Sequence, residues 1–95
     1  MQAEIYSKPL CPYCDRAKAL LTQLNIPYKE FIVSTGFGER ELAANQRYVS
    51  REDLLSRYPA AKTVPQIWID GVHVGGCTDL EAQIQQGQIT AQPAV

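Results

Sequence analysis

The sequence predicts an α/β fold, a mixed four-stranded sheet flanked by helices on both faces. Three observations carry this. Ala17, Leu20, Leu21 and Leu24 repeat at helical spacing between two β-rich stretches, Ala3 to Ser7 and Tyr28 to Val33. A proline-bearing apolar run, Val64-Pro65-Gln66-Ile67-Trp68-Ile69, precedes Asp70-Gly71, a strong two-residue hairpin signal. Helix-start signals stand at Ser50 and Thr78, each ahead of an apolar helical face. The element order is β-α-β-(α)-α-β-β-α.

Taken in order, Ala3 to Ser7 forms a short strand around Ile5 and Tyr6. Pro12 suits the first turn of a helix, where its missing N–H costs nothing. Asn25 and Pro27 end that helix. Tyr28 to Val33 alternates Tyr28, Glu30 and Ile32 with Lys29, Phe31 and Val33, the period of a strand. The β-α-β unit so formed has the length a parallel crossover needs. Gly36 and Gly38 mark a loop, and Glu39 to Gln46 is expected as a short helix. Ser50 with Asp53 resembles a capping box leading into Leu54, Leu55 and Tyr58, and Pro59 closes the helix. Val64 to Ile69 is a buried strand and Val72 to Val74 its short return, broken by Gly75-Gly76. Thr78 with Glu81 makes a second capping box, and Leu80 and Ile84 supply the face of the last helix. Gln85 to Val95 is rich in Gln, with a frayed end expected. No repeat, linker or low-complexity tract divides the chain, so residues 1–95 read as a single domain.

The chain has 95 residues, 9 Lys+Arg against 10 Asp+Glu, and a formal net charge of -1. That balance argues against nucleic acid as a main partner, since phosphate binding usually brings a basic excess. No apolar run approaches the roughly 18 residues of a membrane span. The N-terminus lacks the basic and apolar regions of a signal peptide, which points to the cytoplasm. Three cysteines at these spacings do not suit a secreted disulfide framework.

Cys11 and Cys14 form a C-x-x-C pair at the junction of strand and helix, which reads as a thioredoxin-like redox motif. Thiolate is the reactive form of cysteine, and a free thiol with a pKa of about 8.5 is mostly protonated at pH 7. Cys11 falls at the N-cap, where unpaired N–H groups and the helix dipole favour an anion. The Cys14 thiol lies one turn on and can donate to it, and Lys8 adds positive charge. These effects are expected to lower the pKa of Cys11 and make it the nucleophile. Cys14, less exposed, would resolve the mixed disulfide.

Cys11-Pro12-Tyr13-Cys14 resembles the active site of dithiol glutaredoxins. Two distant segments agree: Thr63-Val64-Pro65 resembles the T-V-P motif, and Gly75-Gly76-Cys77-Thr78-Asp79-Leu80 the G-G-C-[DT]-D-L motif. The resemblance runs from Ile5 to about Gly87. It implies a thioredoxin-like fold and a glutathione-dependent oxidoreductase that reduces protein disulfides and protein–glutathione mixed disulfides. It implies a cis peptide bond before Pro65, with Val64 pairing its backbone to the cysteinyl part of glutathione. Thr78 and Asp79 match positions that hold the γ-glutamyl end, Lys8 the residue reaching the glycine carboxylate, and Tyr13 an aromatic flanking the site. Thr63 and Cys77 belong to the same motifs, and all eight residues are expected at the glutathione site. Glutathione is then the reducing cosubstrate, and disulfide-containing or glutathionylated proteins are the partners of a monomer that needs no metal. The stretch before Thr63 is longer than in short members, so Arg51, Arg57 and Lys62 all stand as candidate aids to Lys8. Pro9 replaces the polar residue expected before the motif.

Alternatives remain for single residues. Cys11, Cys14, His73 and Cys77 form a possible zinc set, although Pro12 and the apolar face after it call for a helix there. Cys77 reads as a small packing residue or a regulatory thiol. His73 reads as an exposed hairpin residue, and Trp68 and Tyr6 as core. Lys8 can be a solvated loop charge and Asp79 a helix-start residue. At the level of function, the alternatives are a redoxin fed by thioredoxin reductase, or a carrier of a [2Fe–2S] cluster between two chains.

Overall fold

In chain order the elements are β1 (Ala3–Ser7), α1 (Pro12–Gln23), β2 (Tyr28–Val33), β3 (Gln46–Val49), α2 (Arg51–Arg57), β4 (Gln66–Ile69), β5 (Val72–Gly75) and α3 (Cys77–Gln85). They come from a computed structural model that describes residues 1–36 and 39–93. The strands form one five-stranded sheet in the order β3-β2-β1-β4-β5. β1 pairs parallel with β2, as the crossover through α1 requires, and β2 parallel with β3. β4 runs antiparallel to β1 and to β5.

The strand period of two divides the core. Ala3, Ile5, Ile67 and Ile69 face α1 and α3, where they bury Ala17, Leu21 and Leu80. Tyr6 and Trp68 face the other way, against Leu54 of α2 and Ala61. Tyr6, Phe31 and Trp68 form an aromatic group there, with Tyr6–Phe31 centroids 4.9 Å apart and Tyr6–Trp68 5.4 Å. Helices on both faces and the core roles of Tyr6 and Trp68 match the sequence reading.

The sheet has one strand more than the sequence predicts. The helix expected over Glu39 to Gln46 is absent: residues 39–43 are irregular, and Gln46 opens β3. An isolated helix of that length is marginal. The open edge of β2 offers an alternative, and Tyr48 and Val49 favour an extended backbone. Asn45 Nδ2 donates to the Tyr28 carbonyl and Glu30 N–H to the Asn45 carbonyl, fixing the register. Of the two glycines marking the loop, Gly36 takes a positive φ of 82°, and Gly38 lies outside the described residues.

The second capping box is also displaced. The N-cap of α3 is Gly76, two residues earlier than the expected Thr78, and Asp79 rather than Glu81 reaches back to it. Glycine has no side chain, so only this return half of a box exists. At α2 the box is complete: Ser50 Oγ accepts from Asp53 N–H at 3.1 Å and Asp53 accepts from Ser50 N–H at 2.8 Å. Asp70 and Gly71 both take positive φ, 50° and 81°, the geometry of a tight hairpin turn. β4 begins at Gln66, leaving Thr63, Val64 and Pro65 in the preceding loop, because proline has no N–H to offer a ladder. The segment after α3 is docked up to its last described residues. Ile89 is buried, Gln92 N–H donates to the Leu24 carbonyl, and Asn25 Nδ2 to the Gln92 carbonyl. Residues 94 and 95, where fraying is expected, lie outside the described residues.

Candidate active site

β1 ends at Ser7, and the loop Lys8-Pro9-Leu10 delivers the chain to the start of α1. Leu10 has a left-handed backbone, φ 54°, and is 99% exposed. A branched side chain there is strained and contributes nothing to the core. Cys11 follows as the N-cap, with Pro12 at the first helical position. Cys14 N–H donates to Cys11 Sγ at 3.2 Å. Cys11 and Cys14 are joined in a disulfide, with Cα atoms 5.2 Å apart. Cys14 is 1% exposed and Cys11 6%, so the ordering expected from sequence holds, and both residues are buried. Tyr13 stands out beside them, exposed.

The Thr63-Val64-Pro65 loop contains the molecule's cis peptide bond among the described residues, between Val64 and Pro65. Pro65 is buried and Val64 half-buried. Among the described residues, the Val64 N–H and C=O have no backbone partner. Lys8, Thr63 and Val64 line one groove of about 230 Å³, together with Arg51 and Lys62. Arg57 is elsewhere. Its guanidinium lies 2.9 Å from Glu4 Oε1 and 4.1 Å from the Trp68 ring centroid, which removes it from the three candidate aids to Lys8.

The Gly75-Gly76 pair sets the start of α3 close to this loop. Gly75 has φ 117°, and a Cβ there would sit 2.8 Å from Asp79 Cγ. A Cβ at Gly76 would lie 3.5 Å from the Pro65 carbonyl oxygen. Gly75 therefore has to be glycine, because its positive φ and the Asp79 carboxylate leave no room for a side chain, whereas a Cβ at Gly76 would make only ordinary contact with the cis-proline loop. Asp79 Oδ2 accepts the Gly76 N–H at 2.9 Å. Thr78 and Asp79 are exposed in the first turn of α3, while Cys77 is buried at 3% exposure. The Cys77 thiol donates to Glu81 Oε1 at 3.3 Å, and Arg16 of α1 holds Glu81 Oε2 at 3.0 Å. Burial, then the Glu81 carboxylate, push the Cys77 thiol up to about 11. The packing reading of Cys77 is the one this environment fits.

His73 is not the exposed hairpin residue expected. It is half-buried, its Nε2 2.9 Å from Gln66 Oε1, and its ring packs against Tyr58 and Trp68. The aromatic face around Trp68 absorbs it. The residues of the zinc alternative are not gathered: among the described residues, no group of three His, Cys, Asp or Glu is placed to hold a metal ion.

Behind the loop lies a network that the motifs do not announce. Glu30, 3% exposed, accepts from Ser7 Oγ at 2.6 Å, Gln46 Nε2 at 2.8 Å and Lys18 Nζ at 2.9 Å. It ties the end of β1 to α1 one turn beyond Cys14. Its signal was present in the alternation, since Glu30 shares a strand face with Tyr28 and Ile32.

A cysteine pair at a helix start, a cis-proline loop and a Gly-Gly turn thus stand at one end of the sheet. The glutaredoxin family profile matches residues 3–74. The chain belongs to the glutaredoxin family. Glutaredoxin 3 of Escherichia coli K12 is 43% identical over 84 residues, spanning 88% of this chain and 87% of that protein. The solved structure of reduced Escherichia coli glutaredoxin superposes with a TM-score of 0.67 at 30% identity, covering 93% of this chain and 98% of that one. A buckwheat glutaredoxin–glutathione complex matches with a TM-score of 0.62 at 27% identity, covering 92% of this chain and 71% of that one. Glutaredoxins are glutathione-dependent thiol–disulfide oxidoreductases, and the Cys11–Cys14 pair gives this glutaredoxin its redox couple. No helix among its described residues is long and apolar enough to cross a membrane.

Proposed function

We propose that this glutaredoxin reduces both protein disulfides and protein–glutathione mixed disulfides, with Cys11 as nucleophile and Cys14 as resolving thiol. The observation that carries the assignment is the Cys14 N–H aimed at Cys11 Sγ from the first turn of α1. Reduced, Cys11 is a thiolate stabilised by that donor and by the helix start.

In the monothiol route the Cys11 thiolate attacks the glutathionyl sulfur of a mixed disulfide. A new bond forms from Cys11 to that sulfur, the old S–S bond breaks, and the protein leaves as thiolate and takes a proton. A glutathione thiolate then attacks the glutathionyl sulfur on Cys11, giving oxidised glutathione and free Cys11. In the dithiol route Cys11 attacks a protein disulfide. Cys14 displaces the bound protein from Cys11, which closes the Cys11–Cys14 disulfide and delivers two electrons to the protein. Two glutathiones reopen that disulfide, the state in which the pair stands here.

Glutathione is held as an added strand against Val64. The Val64 N–H and C=O, which have no backbone partner among the described residues, support this. Lys8, with Arg51 and Lys62 beside it, attracts the glycine carboxylate, and Thr63 and Pro65 shape the loop. The Thr78 N–H and Asp79 carboxylate take the carboxylate and ammonium of the γ-glutamyl end, with Cys77 packing beneath. Tyr13 flanks the disulfide. Residues 1–95 act as one unit, as a monomer in the cytoplasm, with glutathione and oxidised proteins as partners. A coupled assay tests this. Reduction of a glutathione mixed disulfide should proceed with glutathione and glutathione reductase and stay at background with thioredoxin reductase. The reverse result overturns the proposal.

A further inference from the structure

Resting on the function proposed above, the geometry points to a substrate preference: we infer that the groove beside Val64 receives acidic residues C-terminal to the reacting cysteine of a polypeptide disulfide. Lys8, Arg51 and Lys62 line the groove among apolar residues and two threonines, with no carboxylate among the described residues of its wall. The whole chain carries a net charge of -1, so this segregation is local. Every ion pair among the described residues lies elsewhere, on Arg16, Lys18 and Arg57. Glu52 and Asp53 follow Arg51 in α2 without lining the groove, and Asp53 is engaged as the partner of Ser50 N–H.

Direction decides which end of a substrate meets these cations. With the γ-glutamyl end at Thr78 and Asp79 and the cysteinyl part at Val64, a bound chain runs from N to C toward Lys8. Glutathione ends there in a single carboxylate, which leaves positive charge unneutralised. A polypeptide continues, and side chains after its cysteine enter the groove. The preference belongs to the dithiol route, because in the monothiol route glutathione itself fills the strand position and the protein departs. A local field of one sign raises association rates by about tenfold or more at low salt and loses this as salt screens it.

The test is a single turnover of the reduced full chain in the absence of glutathione. Peptides carry one cysteine joined to thionitrobenzoate and differ only in the two following residues: Glu-Glu, Gln-Gln or Lys-Lys. Cys11 bonds to the peptide sulfur, and thionitrobenzoate leaves with the electron pair and is read by its colour. The expected result is release from the Glu-Glu peptide about 3- to 10-fold faster than from Gln-Gln at low ionic strength, converging at high salt. In Arg51→Gln/Lys62→Gln the ratio falls toward one, and in Arg51→Glu/Lys62→Glu the Lys-Lys peptide becomes the faster. Equal rates for all peptides, or a Glu-Glu preference that survives in both variants, overturn the inference alone. No release from any peptide overturns the role of Cys11, and the inference with it.

Discussion

Lys18 Nζ lies 2.9 Å from Glu30 Oε2, and this pair joins the catalytic helix to the strand beneath it. Burial disfavours the Glu30 charge, but the hydrogen bonds from Ser7, Gln46 and Lys18 outweigh it and hold the carboxyl below its ordinary value. The same burial opposes the Lys18 charge, and Glu30 more than offsets it, so the ammonium titrates above its ordinary value. Removing Lys18 would leave the buried Glu30 carboxylate with neutral donors alone, whereas removing Glu30 would leave Lys18 with Asp15 and water.

Glu30→Gln is therefore expected to destabilise the fold by about 2–3 kcal/mol, less than a fully buried broken pair costs, because Lys18 can reach water. Urea unfolding with matched slopes measures it. The pH dependence follows from the direction of the shift. A carboxyl with a lowered folded pKa stabilises above its unfolded value, near 4.3, and that stability is lost as pH falls through the folded value. Wild-type stability should fall below about pH 4.3 more steeply than that of Glu30→Gln, and parallel curves would contradict the network.

Asp79 has two partners in this account, the Gly76 N–H and the glutathione ammonium. Asp79→Asn keeps an oxygen for the cap and loses the charge. It should raise KM for glutathione several-fold with little change in kcat and within about 0.5 kcal/mol of wild-type stability. Asp79→Ala should show the same KM effect and lose about 1 kcal/mol of stability from the lost cap. An unchanged KM in both variants removes Asp79 from the glutathione site and leaves it a capping residue. Steady-state kinetics alongside thermal unfolding separate the two roles.

Cys77 should be inert where Cys11 reacts. With its thiol pushed up to about 11 and only 3% of the residue exposed, it carries almost no thiolate at neutral pH. Reduced protein treated with iodoacetamide at pH 7 should label on Cys11 and stay unlabelled at Cys77, as read by peptide mass. Glu81→Gln removes a neighbouring negative charge and should bring the Cys77 pKa down, although burial keeps it above an ordinary thiol. Labelling of Cys77 at a rate comparable to Cys11 would restore the regulatory-thiol reading.

The parts legible in the sequence are those governed by local rules. Pro12 after Cys11, the Ser50–Asp53 box and Asp70-Gly71 each act through neighbours in the chain, and each stands where the sequence puts it. β3 was not legible, because the stretch from Glu39 to Gln46 is too short to hold a helix alone, and its fate rests on the distant edge of β2. The α3 cap was displaced for a similar reason: Gly75 and Gly76 read as a strand break, whereas Gly75 closes β5 and Gly76 is the N-cap, its N–H held by Asp79. The three motifs located the site, but the surroundings of Lys8 needed three dimensions. Arg57 looked equivalent to Arg51 and Lys62 until its stacking on Trp68 and pairing with Glu4 took it away.

The asymmetry between Cys11 at the helix start and Cys14 inside the first turn is the centre of this account. Deglutathionylation of a mixed-disulfide substrate by Cys11→Ser and Cys14→Ser, coupled to glutathione and glutathione reductase, measures it most directly. Cys11→Ser should fall to background, and Cys14→Ser should keep much of the wild-type rate, since the monothiol route needs only the first thiol. Equal loss in both variants, or activity surviving in Cys11→Ser, would contradict it.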